Sequence, residues 1–188
     1  MVVPTESAYG LATDAFNALG LNRLREAKNR GPQLPVPVMI GSPNTLDAVM
    51  AMVTAEAREL ITAFWPGQLT LVGPSQPTLS WTVVASGDTT ISVRMPIHPV
   101  PWQLAKRVGP LALTGANVAG ADLPKTCDEV ADVLGTDVSV YLDGGTITES
   151  ATSTTVDVST TPPTLLREGA LTLEDLQTVC PTLVARVS

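Results

Sequence analysis

The feature that most restricts this chain is the interleaving of short apolar runs with amphipathic segments, each bounded by proline, glycine or a capping hydroxyl. PVPVMIG (35–41), LTLVG (69–73), WTVVA (81–85), TTISVRM (89–95), PLALT (110–114), DVSVYLD (137–143), STTVDV (153–158) and TLLRE (164–168) have the length and β-branched content of strands. NALGLNRLREAK (17–28) reads as a helix, with Leu21, Leu24 and Ala27 on one face. Further helices are expected from near Leu46 with Asn44 as cap, and from Thr54 to the stop at Pro66 and Gly67. Others are expected after Pro99 and Pro101 as far as Gly109, over 126–135 with Thr126 as cap, and after Thr172. The order is not a strict βαβα repeat, and runs such as 81–85 and 89–95 are expected to pair antiparallel. The fold class is therefore α/β, a mixed twisted sheet with helices packed around it.

A chain of 188 residues fits one domain, taken as 1–188. Hydrophobic residues make up 44% and aromatics only 4%, so the interior must be built from Val, Leu, Ile and Ala. No apolar run approaches the ~20 residues of a membrane span, and no secretory signal opens the chain. Cys127 and Cys180 have neither metal-site spacing nor a disulfide pattern, which fits reduced thiols and a cytoplasmic protein. A formal charge of -7 argues against a dedicated nucleic-acid binder. Yet Arg23, Arg25, Lys28 and Arg30 fall close together, as a local anion site would require. GxGxxG and GxxxxGK[ST] are both absent, so a nucleotide site here is neither Rossmann nor P-loop. With a single histidine and no HExxH, little supports a triad or a zinc hydrolase.

Seven short motifs then occur in order: PTESAYGL (4–11), AKNR (27–30), FWPGQLTLV (64–72), TTISVRMPIHP (89–99), GAN (115–117), DGG with STTVD (143–145, 153–157), and LLREG (165–169). Their order and spacing resemble the threonylcarbamoyl-AMP synthases, the family with the YrdC-like fold. The resemblance implies that ATP, L-threonine and bicarbonate are the substrates, that Mg²⁺ accompanies ATP, and that the product serves tRNA modification, with tRNA or tRNA-modification proteins as partners. By the same resemblance Lys28, Arg30 and Arg94 carry the catalysis. Arg30, Thr90, Asn117 and Arg167 would bind ATP, and Thr5, Ser7, Arg94 and Ser153 would bind threonine. Such chemistry is mostly positioning and charge stabilisation, which suits guanidinium forks and hydroxyls. Lys28 and Arg30 can reach one anion only if the helix ends near Ala27. Tyr9 is expected as a pocket wall, and His98 and Phe64–Gly67 as structural groups.

Some positions depart from the family pattern. Gly115 stands where a serine is usual, Thr152 where a glutamate is, Leu34 where a polar residue is, and Met39 where a histidine is common. The usual segment before PT, with its helix, is expected to be missing. Two other readings stay open: a YrdC-like RNA-binding module, and a divergent paralogue that binds nucleotide without full activity.

Overall fold

In the computed structural model, residues 1–28, 35–84, 87–118, 120–148 and 151–186 are described. Their strands are β1 (Val2–Pro4), β2 (Tyr9–Asp14), β3 (Val38–Met39), β4 (Leu69–Pro74), β5 (Thr90–Arg94), β6 (Leu111–Gly115), β7 (Thr154–Asp157), β8 (Thr164–Arg167) and β9 (Val184–Ala185). Among the described residues they form one mixed sheet in the order β1-β2-β6-β3-β5-β4-β7-β8-β9. The helices are α1 (Ala18–Ala27), α2 (Leu46–Val49), α3 (Ala55–Phe64), α4 (Pro99–Val108), α5 (Cys127–Leu134) and α6 (Leu173–Gln177). No helix among the described residues is long and apolar enough to cross a membrane.

Strand alternation gives the sheet two different faces. Leu11, Val38, Leu69, Leu71, Ile91, Val93 and Val156 enter the main core, with Leu21, Leu60 and Leu176 from the helices. Their neighbours in sequence point the other way. Part of that second face is closed by a small cluster of Val3, Ala12, Met39 and Leu113 beneath Leu104 of α4. The rest carries Thr70, Ser92, Arg94 and Thr155, which would be misplaced in an apolar core.

The helix boundaries follow local chemistry. Asn17, Thr54, Thr126 and Thr172 each accept a backbone N–H at a helix start, and Glu129 and Asp175 complete capping boxes. Gly109 ends α4 at φ 92°, where a side chain would be strained. His98 caps the same helix through Nδ1, which accepts from Val100 N at 3.3 Å, and burial lowers its pKa. Trp65 turns inward and donates to Leu69 O at 2.7 Å, so the FWPG segment is structural, as expected.

Four expectations need correction. Residues 81–84 are not a strand, and the end of that run lies outside the described residues. β5 instead pairs antiparallel with β4 and parallel with β3. Only an isolated bridge from Val2 to Tyr141 represents the expected strand over 137–143, because that segment passes the outer side of β1. Asn44 caps nothing; it lies in a 3₁₀ turn begun by Ser42, and α2 is a single turn. Finally, β2 is built from residues that stand out in the sequence only as a motif, whose threonine and glycine content hides a buried strand.

Tyr9 ties the second strand to the DGG turn. It is fully buried, donates to Gly145 O at 2.7 Å and Asp143 Oδ1 at 3.0 Å, and accepts from Gly144 N at 2.9 Å. Tyr9→Phe therefore strands several polar groups and is expected to cost about 1–3 kcal/mol. Urea unfolding of parent and variant measures this directly; equal midpoints would remove the tie.

Candidate functional site

The polar face becomes a site because five adjacent strands each bring one residue, four of them polar, into one cross-strand row. Met39 stands opposite Arg94, Arg94 opposite Thr70, Thr70 opposite Thr155, and Thr155 opposite Arg167. Directly opposed residues share a face, so the row is continuous from β3 to β8. Above it lies a cavity of about 460 Å³. The turn after β1, the end of α1 and the segment after β6 form its rim.

Thr5, Ser7, Lys28, Arg94, Asn117, Ser153 and Arg167 all line this cavity, although they come from distant parts of the chain. Thr90 does not. It is four residues before Arg94 on the same face, about 13 Å away along the strand, and Ser92 lines the cavity instead. Arg30 and Leu34 lie outside the described residues. Helix α1 ends at Ala27, as the AKNR reading requires.

Arg94 is the central cation. Its Nε donates to Gly67 O at 2.9 Å and its Nη2 to the carboxylate of Glu6. The two side chains are 8% and 7% exposed, so this is a buried ion pair. Glu6 Oε2 is buried with no hydrogen-bond partner, a cost that marks a site held under constraint. Burial, and after it the Arg167 guanidinium, pull the Arg94 pKa down to about 10, which still leaves it cationic at neutral pH.

Beside Arg94, Thr70 Oγ1 donates to Ser153 Oγ at 3.0 Å. Arg167 Nη2 donates to Ser153 O at 2.8 Å and Oγ at 3.3 Å. Ser153 Oγ thus accepts from both neighbours and keeps its own proton for a ligand oxygen. Arg94 and Ser153 both line the cavity, where a guanidinium and a hydroxyl can meet an anionic group.

Lys28 has a different use from the one its position suggests. It is 3% exposed, and its ammonium donates to Gly115 O, to Asn117 O at 2.7 Å and to Asn117 Oδ1 at 2.9 Å. Three donors on three protein acceptors make it a pin that fixes the rim after β6. Thr5 is likewise engaged in its turn, where its hydroxyl donates to Ala8 O at 2.5 Å and accepts from Ala8 N at 3.3 Å.

Sequence reasoning missed Glu6, Thr70, Leu123 and Thr154. Glu6 stands inside the first motif, and Thr70 inside a strand whose alternation already places it opposite the core. Thr154 points to the core face. Its hydroxyl donates to Leu171 O at 2.6 Å and accepts from Gly169 N at 3.0 Å and Leu171 N at 2.9 Å, which holds the segment after Arg167. Leu123 carries no signal in sequence. It fills the space beside Gly115, where an added Cβ would lie 2.5 Å from Leu123 Cδ2 and 3.1 Å from Asn117 Oδ1. Gly115 is not among the glycines at positive φ, so the neighbour and not the backbone keeps it small. Gly115→Ser is accordingly expected to cost about 1–3 kcal/mol through overpacking, and Leu123→Ala in the same chain to relieve it. Thermal melts of the single and double variants check this; a single variant as stable as the parent would show that Leu123 moves freely.

The lining contains no carboxylate among the described residues, and no group of three or more His, Cys, Asp or Glu there is placed to hold a metal. The described lining instead presents guanidinium groups and hydroxyls, which suit an anionic ligand.

A family model described as Telomere recombination, covering Sua5, YciO and YrdC proteins, matches residues 1–169. A Mycobacterium tuberculosis protein provisionally named threonylcarbamoyl-AMP synthase is 40% identical over 95% of this chain and 82% of its own length. The threonylcarbamoyl-AMP synthase of Pyrococcus abyssi is 34% identical over 94% of this chain, which spans about half (52%) of that protein. A crystal structure of P. abyssi Sua5 complexed with L-threonine superposes with a TM-score of 0.90 at 33% identity, over 97% of this chain and 54% of the other. Escherichia coli YciO shares the fold, with a TM-score of 0.82 at 21% identity over 93% of this chain and 85% of the other.

Proposed function

Because the chain belongs to the Sua5/YciO/YrdC family, we infer that its cavity makes threonylcarbamoyl-AMP and pyrophosphate from L-threonine, bicarbonate and ATP, for the modification of an adenosine in tRNA. The cross-strand row that sets Arg94, Thr70 and Arg167 on one face, with Ser153 hydrogen-bonded to the last two, carries this reading. It offers a carboxylate fork and a second guanidinium on the floor of one cavity.

In this reading Arg94 and the Ser153 hydroxyl hold the threonine carboxylate, and the amine faces the open cavity. Addition of the amine to bicarbonate releases water and leaves a carbamate. A carbamate oxygen then attacks the α-phosphorus of ATP, the bond to the β-phosphate oxygen breaks, and pyrophosphate leaves with the electron pair. Arg167 lies at the end of the row where phosphate charge is to be met, and Asn117, pinned by Lys28, faces the nucleotide. ATP would arrive as its Mg²⁺ complex, in which the ion would supply charge neutralisation beside that given by Arg167. The chain thus acts as a nucleotidyltransferase in the cytoplasm. Its own contribution is orientation, exclusion of water and fixed positive charge.

Pyrophosphate release from MgATP tests the reading. Release is expected only when L-threonine and bicarbonate are both present. Release that ignores either of them, or none at all, would favour a nucleotide-binding paralogue without this activity.

A further inference from the structure

The floor of the cavity changes character on either side of Arg94. Toward β4 and β7 lie Thr70, Ser153 and Arg167, already joined by hydrogen bonds. Toward β3 and β6 the floor is Met39 and Leu113, both buried and part of one apolar cluster, while Ser7 and Thr5, whose hydroxyl is engaged with Ala8, line the cavity from the turn after β1. Leu123 lines the cavity as well, reaching into the space left by the missing side chain of Gly115. Thr114 borders the cavity too, but alternation along β6 puts its side chain on the face opposite Gly115 and Leu113.

A carboxylate held by Arg94 and the free proton of Ser153 takes the polar side of that boundary. The side chain of the same amino acid then falls toward the hydrocarbon wall. We propose that Met39, Leu113 and Leu123 set the amino-acid selectivity of this enzyme. The wall reads the γ-methyl of threonine by contact and leaves its hydroxyl unread, so the site takes short α-amino acids carrying a β-branch or ethyl group as a class. The inference rests on the synthase reading above and narrows its substrate.

Magnitudes separate this from a site that reads the hydroxyl. A pocket built to hydrogen-bond a substrate hydroxyl rejects the analogue lacking it by ~10⁴–10⁵, whereas a methyl on an apolar wall is worth roughly 10–200-fold. L-2-Aminobutyrate keeps the methyl and lacks the hydroxyl; L-serine does the reverse. With the full chain, MgATP and bicarbonate, kcat/KM from pyrophosphate release is expected to differ between threonine and 2-aminobutyrate by less than about tenfold. Serine should fall at least about tenfold below 2-aminobutyrate. Leu123→Ala should shrink the gap between 2-aminobutyrate and serine several-fold, a ratio taken within one preparation and so independent of how much of it is folded. Preference for threonine over 2-aminobutyrate beyond about 10³-fold, or an unchanged ratio in Leu123→Ala, overturns the proposal while leaving the synthase reading intact. Absence of pyrophosphate release with all three amino acids overturns both.

Discussion

Arg94→Ala is expected to lose threonine-dependent turnover and much of its stability together, for two separable reasons. Loss of a charge-assisted contact to the substrate carboxylate costs ~1.5–3 kcal/mol, a fall of roughly 10- to 150-fold in kcat/KM for threonine. The second reason is Glu6, whose side chain is only 7% exposed and would be left without its cation. Breaking one side of a buried pair costs about 3–5 kcal/mol. Adding Glu6→Gln removes the stranded charge, so the double variant should regain most of the stability and none of the turnover. Thermal melts and threonine kinetics on the three proteins distinguish the effects. A stable Arg94→Ala chain with parental KM for threonine would exclude both the clamp and the ion pair.

Thr154→Val is the second large effect, and it acts at the Arg167 end of the row, where the proposed function puts ATP. Valine matches threonine in shape but leaves the Gly169 and Leu171 N–H groups without their acceptor and Leu171 O without its donor, at a completely buried position. At about 1 kcal/mol or more for each orphaned group, the loss is at least about 3 kcal/mol. The segment it releases is tightly seated, since a Cβ at Gly169 would collide with Thr152 O. Arg167 stands two residues before that glycine, so its bond to Ser153 O should loosen and KM for ATP should rise more than KM for threonine. Thr154→Ser keeps the hydroxyl and is the control. A valine variant as stable as the serine variant would show that other groups hold the loop.

Much of the site face was legible in the alternation of the strands. In TISVR, isoleucine and valine enter the core while serine and arginine turn away, and LTL and STTVD repeat the rule. An arginine within such a run, on the polar phase, is marked as a floor residue by the pattern alone. Register was not legible. That Met39, Arg94, Thr70, Thr155 and Arg167 fall in one row depends on crossovers joining distant strands, which local pattern does not encode. Lys28 shows the converse limit. Its place in a motif suggested a catalytic cation, yet three of its hydrogen bonds go to the chain's own carbonyls. Thr90 shared the right face but stood too far along its strand. The strand expected over 81–85 failed because apolar residues that fill a gap against the core need no ladder; Val83 is buried without belonging to a strand.

One chemical event underlies the proposed function: this cavity joins a bicarbonate-derived carbon to an amino acid and then to AMP. Incubation of the protein with MgATP, L-threonine and ¹³C-bicarbonate, followed by mass spectrometry of the quenched mixture, reads that event directly. The expected product is threonylcarbamoyl-AMP carrying one labelled carbon, formed together with an equal amount of pyrophosphate. AMP or pyrophosphate without the labelled conjugate, or a conjugate lacking the label, would contradict it.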